Sequence, residues 1–173
     1  AQVYASFMTA LANLCLPVGY ERNSFECETP QYKASLLYSV QAMVLGLLLL
    51  VLLGTFLLRS TLSAWIIGSA GREDLLLVTF AAAAASSLKA YLYVYMRNEE
   101  RAGAFARWSL FEAFTSTATT LYLVVAMGFG ALGLALGQLT GQLLTYLLLV
   151  ATTLRSLPLR TDLVQLRKTL HIS

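Results

Sequence analysis

Charged residues are scarce in this 173-residue chain: they make up 12 % of the sequence, against 58 % hydrophobic residues. Soluble domains usually contain about 25 % charged residues. The longest uncharged run covers residues 113–154 and is interrupted only by the glycines that flank Phe129. Because a bilayer core about 30 Å thick needs roughly 20 apolar residues per helical crossing, this run predicts two membrane-spanning helices joined by a short hairpin. An ordinary soluble domain is excluded.

Histidine and cysteine are also rare. The single histidine, His171, is close to the C-terminal end, and the two cysteines are Cys15 and Cys27. A lone histidine has no partner for base catalysis or metal binding, and two isolated cysteines lack zinc-binding spacing. The sequence also lacks P-loop, zinc-protease and serine-hydrolase motifs. We therefore expect no enzyme activity, no cofactor and no metal site, and we interpret both cysteines as free or buried thiols.

Three further segments are almost free of charge, and the first of them begins at residue 1. Together with the long run they predict an all-α membrane protein, a polytopic bundle of transmembrane helices. The five predicted spans cover about residues 1–19, 34–58, 75–96, 108–128 and 132–154. Residues 157–173 alternate leucines with basic residues, which is typical of a cytoplasmic amphipathic tail or a linker between lobes. Since the chain starts without methionine and inside an apolar segment, we expect it to be part of a longer protein.

The basic residues are distributed unequally between the two sides that these spans define. Nine of the twelve fall in alternate connections and in the tail, namely Arg22, Lys33, Arg97, Arg101, Arg107, Arg155, Arg160, Arg167 and Lys168. Arg59 and Arg72 fall on the opposite side, and Lys89 lies within a span. Because short loops rich in lysine and arginine stay in the cytoplasm, the N-terminus is predicted outside and the C-terminal tail inside. This distribution accounts for the net charge of +3, so we expect no nucleic-acid partner.

The last predicted span carries glycines at four-residue spacing. Gly133, Gly137 and Gly141 share one helix face, which predicts close packing against a neighbouring helix. Gln138 and Gln142 each follow one of these glycines along the edge of that face. The two amides either line a sugar-binding cavity or form interhelical hydrogen bonds.

Three tyrosines alternate near the cytoplasmic end of the third span. Tyr91, Tyr93 and Tyr95 are interpreted as anchors at the membrane interface, where tyrosine and tryptophan are enriched.

Two charged residues fall inside the predicted spans, Lys89 in the third and Glu112 in the fourth. A charged group there costs at least about 2.5 to 3.5 kcal/mol on insertion scales, so it usually faces a cavity or a partner. At 1.5 Å per residue, the distances of Lys89 from Arg97 and of Glu112 from Arg107 predict that both charged residues lie near the cytoplasmic surface, at similar depth. Two interpretations remain open. The residues form a structural ion pair, or Lys89 faces a transport cavity and binds an anionic cargo while Glu112 neutralises it between cycles or takes part in proton coupling.

Three segments resemble one transporter family in the same order along the chain. They are residues 130–142, rich in glycine and leucine; residues 95–105, which begin Tyr95-Met96-Arg97-Asn98; and residues 19–22. In these segments the chain resembles bacterial polysaccharide flippases of the O-antigen type, within the multidrug/oligosaccharidyl-lipid/polysaccharide exporter superfamily.

The resemblance implies a partial N-terminal lobe, about helices two to six, of a two-lobe transporter. It also implies that the lobes rock between inward- and outward-open states in the bacterial inner membrane. The implied cargo is a polyprenyl-pyrophosphate-linked oligosaccharide for export of polysaccharide such as lipopolysaccharide O-antigen. The expected partners are the lipid bilayer, this cargo and the remaining helices of the transporter.

Other functions are compatible with the same spans. A cation-coupled drug exporter of the same superfamily would favour carboxylates deep in these helices. A non-transporting scaffold subunit would need no polar residue inside the bundle. A membrane-embedded glycosyltransferase would need large polar loops outside the membrane, whereas the predicted outside loops are residues 59–74 and a bare hairpin.

Overall fold

The computed structural model describes residues 1–13, 19–23, 30–68, 71–99 and 101–156, and all its regular elements in these ranges are helices. Within them, four helices are long and apolar enough to cross a membrane: Lys33–Leu57, Glu73–Asn98, Ala102–Ala126 and Gly130–Thr153. The predicted all-α membrane bundle is therefore confirmed. Cys15, Cys27 and the predicted tail 157–173 lie outside the described residues.

The helices follow one another with short connections. They are α1 (Gln2–Asn13), α2 (Pro30–Leu57), α3 (Arg59–Ile67), α4 (Glu73–Asn98), α5 (Ala102–Leu121) and α6 (Gly130–Ser156). Residues 19–23 are also helical. The first predicted span, 1–19, includes residues outside the described ranges. Its described part, α1, has 12 residues, or about 18 Å of helix.

Helix α4 is the centre of the bundle and contacts every other named helix. Its core side chains are almost completely buried: Leu76, Phe80, Leu88, Tyr91 and Leu92. Facing side chains come mainly from α2 and α6, such as Leu37, Val44 and Leu149. In a membrane the surrounding lipid is as apolar as these side chains, so close packing and internal hydrogen bonds hold the helices together.

Helix α5 occupies a different position. None of its residues is buried, and it packs chiefly along α6 while touching α4 at few places. Large apolar side chains on its outer surface, such as Leu110 and Phe114, are 70 % and 76 % exposed. The outer face of α5 is in contact with the surrounding medium, and its large apolar side chains suit contact with lipid.

Ion pairs show which helix ends lie together. Arg97 Nη2 lies 2.6 Å from Glu21 Oε1, and Lys33 Nζ lies 3.1 Å from Glu99 Oε1. These contacts bring the start of α2 and the end of α4 to one end of the bundle. At the other end, Arg59 Nε lies 2.9 Å from Glu73 Oε2. Arg97 and Lys33 therefore lie at one end of the bundle and Arg59 lies at the opposite end, as the order of the predicted spans requires.

The connection between α5 and α6 is a tight hairpin. Helix α5 ends in one π-helical turn, Tyr122–Ala126, and α6 begins at Gly130. Gly128 and Gly130 have φ angles of 70° and 53°, in the left-handed region that glycine tolerates without steric penalty. The glycines therefore allow the chain to reverse within a few residues.

We predict that this hairpin and the connection between α4 and α5 lie on opposite sides of the membrane. The test uses two single-cysteine variants, Ala131→Cys and Arg101→Cys. Each is made in a protein whose Cys15 and Cys27 are replaced by serine, and the new cysteine is labelled. Both positions are exposed, and Ala131 avoids the strained backbone of Gly130. Because arginine-rich loops stay inside, a membrane-impermeant thiol reagent added to intact cells should label position 131 only. Labelling of position 101 with protection of 131 would reverse the orientation.

Candidate functional site

A polar cavity of about 720 Å³ lies between α1, α4, α5 and α6. It exists because α5 packs along α6 and touches α4 at few places, and because several of the α4 residues that face the cavity are small. Ala82, Ala83, Ser86 and Ala90 form this part of the wall. All four candidate binding residues from the sequence line the cavity: Lys89, Glu112, Gln138 and Gln142. Residues far apart in the chain therefore meet in one site.

Lys89 and Glu112 form an ion pair across this cavity, from α4 to α5. Their side chains are 6 % and 17 % exposed, so both charges are largely removed from solvent. Lys89 Nζ also donates a hydrogen bond to Oε1 of Gln142 on α6. Glu112 Oε2 accepts a second hydrogen bond, 2.9 Å long, from the Tyr93 hydroxyl. Three helices are thus joined by one charged and hydrogen-bonded cluster, which we call the Lys89 cluster (Lys89, Tyr93, Glu112 and Gln142).

The Lys89 cluster lies nearer the middle of the long helices than the count from the flanking arginines suggests. Helix α5 begins at Ala102, six residues before the predicted boundary, because Arg107 lies on an exposed face and its backbone continues the helix. Glu112 is consequently two residues from the middle of the span Ala102–Ala126. Lys89 and Gln142 are within four residues of the middle of their own spans, or about 5 Å along the helix.

The two glutamines have different environments. Gln142 is half-buried and accepts the hydrogen bond from Lys89. Gln138 is exposed to the cavity, and its amide has no hydrogen-bond partner among the residues that the structure describes. One amide therefore forms an interhelical hydrogen bond, and the other is available to a ligand.

The glycine face of α6 lies against α5. An added Cβ on Gly137 would lie 2.7 Å from Thr120 Cα, and one on Gly141 would lie 2.6 Å from Ser116 Cβ. Gly133 is less tight, with Leu123 atoms 3.2 Å away from the same added atom. The two backbones can approach this closely only with glycine at positions 137 and 141. This packing of α5 on α6 positions Glu112 in the cavity wall.

The interpretation of the tyrosines as interface anchors is wrong. Tyr91 and Tyr95 are 1 % and 6 % exposed and belong to the protein core. The Tyr91 hydroxyl donates a 2.9 Å hydrogen bond to Asn13 Oδ1, and Asn13 Nδ2 donates a 2.7 Å bond to Ser87 Oγ. These groups attach α1 to α4 beside the cavity. Tyrosine enrichment does not distinguish core from interface, and Asn13 had no signal in the sequence beyond being polar within an apolar segment.

No protein-family model, curated protein or solved structure matches this chain. Among the described residues no three histidine, cysteine, aspartate or glutamate side chains are close enough to hold a metal ion.

Proposed function

We propose that the protein is a secondary transporter, a flippase that moves a polyprenyl-pyrophosphate-linked oligosaccharide across the bacterial inner membrane. The supporting observation is the polar cavity near the middle of the spans, walled by four helices and containing the Lys89 cluster. Substrate sites of secondary transporters lie near the bilayer midplane, where helices meet. Ionisable groups within membrane spans usually face the bundle interior or a water-filled cavity, pair with one another and mark substrate or ion pathways.

The cavity argues for transport over a purely structural role. A scaffold subunit gains nothing from an open polar space inside the membrane, because each polar wall group exposed to lipid is costly. Hydroxyl and amide groups along the wall, such as Ser86, Thr117 and Gln138, suit a cargo whose headgroup is rich in hydroxyls. The resemblance of the glycine-rich last span to flippases supports the same cargo.

A cation-coupled drug exporter is the second candidate, and one observation favours it. Glu112 lies near the middle of its span rather than at the surface, and a deep carboxylate attracts cations and protons. The carboxylate is already paired with Lys89, which reduces its attraction for a cationic drug. The flippase is therefore preferred.

Filling the cavity should stop transport. We expect Ala113→Phe to abolish flipping, because Ala113 lines the cavity from α5 and a ring there displaces the cargo. Ala118→Phe is the matched control, since Ala118 is on the same helix, exposed, and outside the cavity wall. The measurement uses the purified protein in vesicles that contain a labelled polyprenyl-pyrophosphate disaccharide. Headgroups that reach the outer leaflet are counted with a lectin that does not cross the membrane.

Wild-type protein and Ala118→Phe should both exceed protein-free vesicles by a clear factor, and Ala113→Phe should not. The proposal fails if the wild type gives no more flipping than protein-free vesicles. Export of ethidium by the same vesicles, without flipping, would instead identify the drug exporter.

A further inference from the structure

We infer that this cavity recognises an uncharged sugar unit of the cargo, and that Lys89 does not bind the pyrophosphate. The inference rests on the proposed function for the identity of the cargo. It states which part of the cargo occupies the cavity. A buried lysine considered alone would suggest the pyrophosphate instead.

The charges in the cavity are already balanced. Lys89 is the one basic residue and Glu112 the one acidic residue in the described wall of the cavity. They are paired with each other, and Lys89 makes a further hydrogen bond to Gln142. A pyrophosphate that took Lys89 would have to displace Glu112, whose carboxylate would remain partly buried beside the new anion. Removing one partner from a buried ion pair leaves an uncompensated charge, which is strongly unfavourable.

The polar side chains of the cavity wall that have no protein partner among the described residues are neutral. Among the described residues, the side chains of Gln2, Ser86, Thr117 and Gln138 line the cavity without a hydrogen-bond partner. An amide offers both donors and an acceptor, and a hydroxyl offers both functions. Such groups match the vicinal hydroxyls and the acetamido groups of sugars, which also donate and accept. Phosphate oxygens at neutral pH mainly accept and are best bound by arginine or lysine.

The dimensions are consistent with this ligand. The cavity volume of about 720 Å³ falls within the range of about 300 to 1,000 Å³ for small-molecule sites. These neutral polar groups occur on all four helices that wall the cavity: Gln2 on α1, Ser86 on α4, Thr117 on α5 and Gln138 on α6. A sugar between these walls can be held from several sides at once.

Equilibrium dialysis of the purified protein tests the inference. The probes are three neutral disaccharides, chitobiose, maltose and lactose, and inorganic pyrophosphate, each radiolabelled. We expect at least one disaccharide to bind and pyrophosphate not to bind. Gln138→Leu should weaken binding of that disaccharide about three- to tenfold, because one or two hydrogen bonds are lost. Thr140→Val is the matched control on the same helix; its hydroxyl bonds its own helix at Leu136 O and is outside the cavity wall, so binding should not change.

The possible results separate clearly. Pyrophosphate binding that disappears in the double variant Lys89→Met with Glu112→Gln, in which neither charge is left unpaired, overturns the inference, as does failure of all three disaccharides to bind. Disaccharide binding that Gln138→Leu leaves unchanged places the sugar elsewhere and also overturns it. The outcome is independent of the flipping assay. Sugar binding without flipping removes the flippase and keeps the sugar site, whereas flipping without sugar binding removes the sugar site alone.

Discussion

Lys89→Met should sharply lower the amount of folded protein and its unfolding temperature, and Glu112→Gln should restore much of that loss when added to it. The single change leaves the Glu112 carboxylate, 17 % exposed, without its cation near the middle of its candidate membrane span. Breaking a buried ion pair by removing one partner typically costs about 3 to 5 kcal/mol. In the double variant neither charge is left unpaired, and the amide oxygen introduced by Glu112→Gln would still accept the hydrogen bond of the Tyr93 hydroxyl.

The measurement is a double-mutant cycle on thermal unfolding in detergent, with protein abundance in the membrane as the second readout. Arg97→Gln provides the control, because Arg97 forms its ion pair with Glu21 at a surface where it is 65 % exposed. Such pairs contribute about 1 kcal/mol or less. The interpretation of Lys89 as a structural partner of Glu112 would be refuted by a Lys89→Met protein as stable as wild type, or by a double variant no better than the worse single one.

Gly137→Leu should prevent normal assembly of the α5–α6 hairpin. Even the first atom of the new side chain would lie 2.7 Å from Cα and 2.8 Å from the backbone nitrogen of Thr120. A contact this short with backbone requires the helices to separate. Overpacking in a close-packed interior typically costs about 1 to 3 kcal/mol, and the backbone contact places this variant at or above the upper limit.

Gly46→Leu is the matched control, since Gly46 lies on the exposed face of α2 with nothing within 4 Å of an added Cβ. Abundance of folded protein should fall for Gly137→Leu and remain near wild type for Gly46→Leu. Adding Thr120→Gly removes the nearest conflicting atom, Thr120 Oγ1, but should not rescue Gly137→Leu, because Cα and the backbone nitrogen of residue 120 stay 2.7 and 2.8 Å from the added Cβ. Rescue by that second change would mean that side chains, and not the approach of the helices, set the limit at this position.

The sequence was sufficient for the coarse architecture. Runs without charge identify long helices because a bilayer core tolerates few charged groups, and the four long helices overlap the predicted spans from residue 34 onward. The glycine spacing on α6 is also readable, since a four-residue period leaves a groove on one face. Helix ends were less predictable. Arg107 looked like a boundary, yet an arginine on an exposed face does not interrupt a helix, and its Nε bonds its own helix at Gly103 O.

The candidate site was predictable only in part. Lys89 and Glu112 stood out because each is a lone charge in an apolar helix. The hydrogen bond from Lys89 to Gln142 depends on how α6 packs against α4, which no spacing within one helix encodes. Tyr93 was misinterpreted for a similar reason. A tyrosine at the end of an apolar helix can lie at the membrane interface or donate a hydrogen bond to a buried acceptor. Here the acceptor is Glu112 on another helix.

The Lys89–Glu112 pair also has a consequence for the order in which the protein is made. Ribosomes add roughly 5 to 20 residues per second, so α4 reaches the translocon a few seconds before the carboxylate that neutralises it. During that interval Lys89 has no counter-ion, and its flexible stem is expected to extend toward the aqueous surface. Helix α4 is therefore a poor candidate for stable insertion by itself. Arrival of α5 completes it, so that biogenesis of the central helix is coupled to synthesis of the next one.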